Sequence, residues 1–326
     1  MKIRTVDEQY VLPLIEGKSN ATDMSVFKGI VGQKEAIKKL GFFVSSHSEN
    51  TPFPTMLFTG SQGLGKSFMS AKIAEALGRD LVEVNCGTIE KSSDFVEKVL
   101  LDQVGGNKGK VLLLDEAHQL SPDITTLLLT LLNPNQDNKN YITYKSWMLE
   151  YDFSKITTIL ATTDAHKIFK PLLNRCVEIY YHLYDNKELF RILKQYLKGI
   201  KITADPTDLA YACRGRARDA FILSQNIQRY CVMNETNELT EEGWEDLREI
   251  FSIHVRGLNS SEIELMRILD ECGPMSCSNL AIKMGVNPNN IESELEIRPR
   301  ELGLIKSSPK GRCLTEKGEI YLNKNN

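Results

Sequence analysis

Gly60-Ser61-Gln62-Gly63-Leu64-Gly65-Lys66-Ser67 follows the apolar run Met56-Leu57-Phe58-Thr59 and precedes a helical pattern from Ser67 to Leu77. Strand, glycine-rich octapeptide and helix in that order make a phosphate-binding loop. Glycine lets the backbone fold close around an anion, so that successive N–H groups and the helix N-terminus face it. Gly60, Gly63 and Gly65 would shape the cradle. Lys66 would reach the β- and γ-phosphates, and the Ser67 hydroxyl would bind Mg²⁺. A glycine-rich turn can match such an octapeptide by chance, but the flanking strand and helix argue against that here. The chain is expected to bind a nucleoside triphosphate, ATP, with Mg²⁺.

The run Val111-Leu112-Leu113-Leu114 has no polar break, as expected of a parallel strand buried on both faces. It ends in Asp115-Glu116, which sets two carboxylates at the C-terminal sheet edge, where α/β folds hold ligands. Asp115 would hold the metal, and Glu116 would polarise the attacking water. A third strand, Ile156 to Ala161, ends in Thr162-Thr163. Thr163 could stand between that water and the γ-phosphate, although threonines also close strands in ordinary turns. Arg175 ends the short segment Pro171-Leu172-Leu173-Asn174-Arg175-Cys176 and suits a finger supplied to a neighbouring subunit. Arg218 closes Arg214-Gly215-Arg216-Ala217-Arg218 and could meet the phosphates from the same chain.

In this order and spacing the series resembles an AAA+ ATPase. The loop, the Leu114 to Leu120 run, Ala161-Thr162-Thr163, Pro171 to Cys176 and Arg214 to Arg218 are similar to the RuvB family of Holliday-junction branch-migration motors. So are Gly257-Leu258, Gly273-Pro274 and the tail from Leu302 to Arg312. The resemblance covers roughly residues 25 to 322, and the chain departs from it in places. Ser61-Gln62 replaces two prolines, and Leu173 stands where the family has a first arginine. The resemblance implies that Ile30 and Val31 flank the adenine and that Leu64, Phe68 and Tyr184 complete the nucleotide contacts. It further implies a hexameric ring translocating duplex DNA or a DNA junction, and a cytoplasmic protein. The segment Tyr141 to Tyr151 alternates about Lys145-Ser146 as a hairpin does, at the place where the family meets its RuvA partner. Its aromatics would suit an interface anchor or packing on their own domain equally well.

Composition is consistent with this. Lys+Arg 40 against Asp+Glu 43 gives net charge −3, so any DNA contact must come from a local patch. Seven cysteines without a C-x-x-C pair point to reduced thiols and not to zinc. Neither a signal peptide nor an apolar run of membrane-spanning length is present, so no membrane partner is expected. The expected architecture is α/β: an N-terminal extension (1–24), a large AAA+ P-loop domain (25–184), a helical lid (185–256) and a winged helix (257–326).

The winged-helix reading rests on three helices followed by a hairpin. Ser261-Glu262-Ile263-Glu264 reads as a capping box, Ser276 as the next cap, and Asn287-Pro288 as a third start. Leu304-Ile305 and Arg312-Cys313-Leu314 would be the hairpin strands, with Pro309-Lys310-Gly311 as their turn. Between Arg298 and Lys317 six Lys/Arg stand against two Glu. Arg298, Lys306, Lys310 and Arg312 are the candidate phosphate contacts, unless the wing docks a protein. Two other functions compete with the motor. Asp115-Glu116-Ala117-His118 could mark a DEAH-box helicase, but no second cleft domain of comparable size follows Thr163. An ATP-switched DNA-binding module or loader would use the same ATP site without processive movement.

Overall fold

The computed structural model describes residues 24–48, 51–104, 109–132, 140–144, 147–151 and 156–324. The expected N-terminal extension therefore lies outside the described residues apart from Met24. The chain folds as two compact units, one of 24–60 with 66–181 and one of 61–65 with 182–324.

The first unit is built on strands β1 (Met56–Thr59), β2 (Asp80–Asn85), β3 (Lys110–Asp115), β6 (Ile156–Thr162) and β7 (Val177–Tyr180), while β4 (Asn140–Tyr144) and β5 (Trp147–Tyr151) form a separate hairpin. The five strands are parallel in the order β2-β3-β6-β1-β7. Their unbroken apolar runs are explained by burial on both faces: Met56, Leu57, Phe58 and Val111 to Leu114 have no exposed surface. Leu57, Leu112, Leu114 and Leu160 pack with Ile124 and Leu128 of the helix Pro122–Leu131. That helix starts where the sequence allows, with Ser121 capping the Ile124 N–H and proline in the first turn. The register pairs Thr59 with Thr162 and Leu114 with Leu160. The phosphate loop, the acidic pair and the threonine pair thus leave the same edge of the sheet.

In the second unit, helices Asn186–Tyr196, Pro206–Ala212, Ala217–Met233 and Glu241–Ile250 pack around a short parallel pair, β8 (Lys201–Ile202) and β9 (Glu238–Leu239). Asp185 and Glu188 form a reciprocal capping box, and Thr240 caps the last of these helices. Beyond them, helices Ser260–Cys272 and Cys277–Met284, a helical run from Pro288 to Glu301, and the hairpin β10 (Ile305–Ser308) and β11 (Gly311–Leu314) make a winged helix, closed by Glu316–Lys324. Its core gathers Leu265, Met266, Leu269, Leu280, Ile291 and Leu304. The first cap is Asn259, not Ser261. Asn259 is extended and exchanges two 2.8 Å hydrogen bonds with Glu262, so the helix begins earlier than the sequence reading placed it. Gly311 at the wing turn has φ 116 and lies so close to Met275 that a Cβ would fall 2.1 Å from its carbonyl oxygen. This approach lets Met275 and Arg312 exchange backbone hydrogen bonds of 2.9 and 2.7 Å, a single antiparallel bridge beside the wing.

Candidate active site

Residues of the phosphate loop contribute to both units. In the first unit, Gly60 has φ 151, in the region open to glycine, and its N–H donates to the Thr162 carbonyl at 3.2 Å. The helix Lys66–Ala76 follows. Lys66 is buried, with Nζ donating to the Gly60 carbonyl at 2.6 Å. Ser67 sits in the first helical turn. Phe68 is 51% exposed and has Lys72 Nζ 5.9 Å from its ring. Val31 is buried just before the helix Lys34–Ser46, and Ile30 is half-buried.

At the end of β3, Asp115 Oδ1 accepts the Glu116 N–H at 3.0 Å. Glu116 itself has φ 53, a left-handed conformation that costs a non-glycine residue about 1–2 kcal/mol. The tight turn 117–119 that follows, closed by Gln119 N–H to the Glu116 carbonyl at 2.8 Å, sustains it. The two carboxylates are near enough to affect the Cys86 thiol, which burial pushes up to about 12 with help from Asp115 and Glu116. Thr162 is fully buried and its hydroxyl accepts the Asp164 N–H at 2.9 Å, whereas Thr163 is exposed at the strand end. Arg175 is half-buried and donates to the Pro171 carbonyl at 2.7 Å, closing its own short helix.

In the second unit, Gly63 and Gly65 have φ 80 and 94. The Arg218 N–H donates to the Gly63 carbonyl at 3.1 Å, and a Cβ on Gly63 would lie 3.1 Å from that of Arg218. Buried Tyr184 donates its hydroxyl to the Leu64 carbonyl at 2.9 Å, while its N–H reaches Gly215 O at 3.0 Å. The Arg218 side chain is exposed. Arg214, with φ 51, turns away to grip the fully buried Glu262 with both Nη atoms, one of them at 3.0 Å, and also donates to Gly257 O at 3.2 Å. Sequence reading missed this pair because the partners stand 48 positions apart. The glycine conformations within each unit, and in the first unit a buried lysine opening a helix, fit the binding of a nucleotide's phosphates.

Residues 56–183 match the ATPase family associated with various cellular activities (AAA), and residues 255–323 match the RuvB C-terminal winged helix domain. The Holliday junction branch migration complex subunit RuvB of Mycoplasma genitalium is 24% identical over 305 residues, 91% of this chain and 96% of its own. That of Campylobacter jejuni (strain RM1221) is 27% identical over 312 residues, 92% of this chain and 91% of its own. In both matched regions and along most of its length the chain is similar to the RuvB family. Its fold is shared with the Thermotoga maritima RuvB Holliday junction branch migration motor, at TM-score 0.74 and 23% identity over 90% of this chain and 95% of that one. With its AAA domain, the chain binds nucleotide and is an ATP hydrolase.

In the RuvB-type wing, two of the four DNA candidates are engaged by partners of their own unit. Arg312 is turned onto Glu296 at 2.8 Å and Glu292 at 2.6 Å, both on the preceding helical run. Arg298 is buried, pairs with Glu301 at 3.2 Å and donates to the Tyr211 and Arg256 carbonyls. Both arginines therefore support the domain's own structure. Lys306 and Lys310 are exposed. The β4–β5 hairpin forms as expected, with Tyr144 opposite Trp147, but its aromatic side chains lie outside the described residues. No described helix is long and apolar enough to cross a membrane.

Proposed function

We propose that the chain is an ATP-driven motor that moves duplex DNA at a branched junction, as its relatives' names describe for them. A single observation carries the reading: one chain joins an AAA domain to a winged helix of the RuvB type. Gly60, Gly63, Leu64, Gly65 and Lys66 would hold the phosphates, Ser67 and Asp115 the Mg²⁺, and Ile30, Val31, Phe68 and Tyr184 the rest of the nucleotide. Bound Mg²⁺ would neutralise charge on the β- and γ-phosphates. Glu116 takes a proton from the attacking water, Thr163 orients that water, and Arg218 meets the phosphates from the same chain. Arg175, supplied to a neighbouring copy, makes turnover conditional on assembly into a hexameric ring. Lys306 and Lys310 touch DNA phosphates, and the 141–151 hairpin is the docking point for a RuvA-like partner. The domain division stays as read from the sequence, with the lid over 185–256 and the winged helix over 257–326.

The test is ATP-dependent dissociation of a synthetic four-way junction, with a fork and plain duplex beside it, with and without RuvA. Turnover stimulated by DNA together with junction dissociation supports the motor. One observation keeps a loader in play: Leu173 occupies the place of the family's first arginine. Turnover with no strand movement, and an open spiral in place of a closed ring by electron microscopy, would favour that reading.

A further inference from the structure

His118 follows the acidic pair by two residues, and the roles proposed above leave it idle. It is only 14% exposed as a side chain. Its Nδ1 lies 3.0 Å from the Thr162 hydroxyl and 3.4 Å from Glu116 Oε2. A bare Nδ1 would set its lone pair against the carboxylate oxygen, so the network favours the tautomer with hydrogen on Nδ1. That N–H donates to Thr162 Oγ1 and leans toward Glu116. Thr162 is a fixed anchor, because its hydroxyl also accepts the Asp164 N–H and its carbonyl accepts Gly60 N–H. One imidazole thus ties the carboxylate at the end of β3 to the end of β6, beside Thr163. Glu116 needs such a restraint, since its left-handed backbone fixes where the side chain starts and leaves the carboxylate free to rotate.

We propose that His118 is a positioning residue for ATP hydrolysis. It holds the Glu116 carboxylate in register with the β6 strand end and makes no contact with nucleotide. The proposal rests on the reading of Glu116 as the group that activates water.

Steady-state ATPase of the full chain with DNA tests this, alongside binding of a fluorescent ATP analogue. His118→Phe keeps a ring of similar size without the donor. It should lower kcat by about tenfold or more, while KM and analogue affinity stay within about twofold. His118→Asn places an amide N–H near the Nδ1 position and should recover turnover to within about threefold of wild type. In a Glu116→Gln background, His118→Phe should add no further loss, since residues acting as a unit are non-additive. A kcat for His118→Phe within about twofold of wild type overturns the proposal while Glu116→Gln turns over at a low but measurable rate. So does His118→Asn no better than His118→Phe, or a parallel loss of analogue affinity and melting temperature, which would mark a merely structural histidine. Turnover preserved in Glu116→Gln overturns the water-activation reading and this one together.

Discussion

Removing the Arg214 side chain should destabilise the second unit far more than an ordinary arginine substitution. Glu262 has no exposed surface, and its carboxylate is held by both Arg214 Nη atoms and by the Asn259 N–H at 2.8 Å. Arg214→Ala leaves that buried charge with one backbone donor. Breaking a buried pair in this way costs about 3–5 kcal/mol, mostly from the uncompensated carboxylate. For a unit of this size that corresponds to a fall of about 6–20 °C in its unfolding midpoint. Glu262→Gln added to Arg214→Ala removes the charge and keeps an acceptor for Asn259. The double variant should therefore regain about half of the loss, about 1.5–2.5 kcal/mol. The chain has two tryptophans, and Trp244 is buried in the second unit. Thermal unfolding followed by fluorescence in a Trp147→Phe background reports on that unit alone. An Arg214→Ala midpoint within about 2 °C of the parent, or a double variant less stable than the single, would refute the reasoning.

Arg175→Ala and Lys66→Ala should each be inactive alone, and mixing them should restore part of the ATPase; mixtures shown to co-assemble yet no more active than either parent would count against a finger acting in trans. Lys306→Ala with Lys310→Ala should weaken binding alike on unrelated duplexes and reduce the log–log salt slope by about 0.9 per lost contact. Loss on one sequence only would indicate base readout instead. Burial holds the His254 imidazole below the usual histidine range, reinforced by Arg267 and Arg248, and burial with Arg79 does the same for His47. The unfolded chain then takes up protons more readily. The stability these groups contribute is present above their ordinary value of 6.5 and lost as pH falls below it. Unfolding midpoints should drop between pH 7.5 and 5.5, and a His254→Gln chain with an equal drop would remove His254 from the account.

What the sequence made legible were features that a few adjacent residues decide. The strand-loop-helix around Lys66, the two-sided apolar run into Asp115, and the cap at Ser276 each carry their own stereochemical signal. What escaped needed partners far along the chain. Counting cations between Arg298 and Lys317 cannot tell that Arg312 turns onto Glu292 and Glu296, which lie just outside the counted window or within a helix whose phase was unknown. The left-handed conformation of Glu116 leaves no mark in residue type, since glycine or asparagine would be expected there. His118 was visible only as the last letter of a helicase-like motif. Its contact with Thr162 depends on β3 and β6 being neighbours, which the strand order supplies and the sequence order does not.

With Arg298 and Arg312 engaged inside their own unit, the proposed motor would hold its track through fewer cations per wing. Two exposed lysines would give one wing a salt slope of only about −1.8, far below that of a protein making many phosphate contacts. A single chain would therefore bind duplex weakly and let go readily. Six wings around one duplex would act together, because each further contact is made at high effective concentration once the first is in place. Weak individual grips suit translocation, in which each subunit must release and rebind while its neighbours hold. The same assembly would bring Arg175 to a neighbour's nucleotide, so DNA retention and turnover would rise together with ring formation. Comparing a single wing domain with the assembled chain separates these terms: similar affinity for both would mean that the wings do not act together on one duplex.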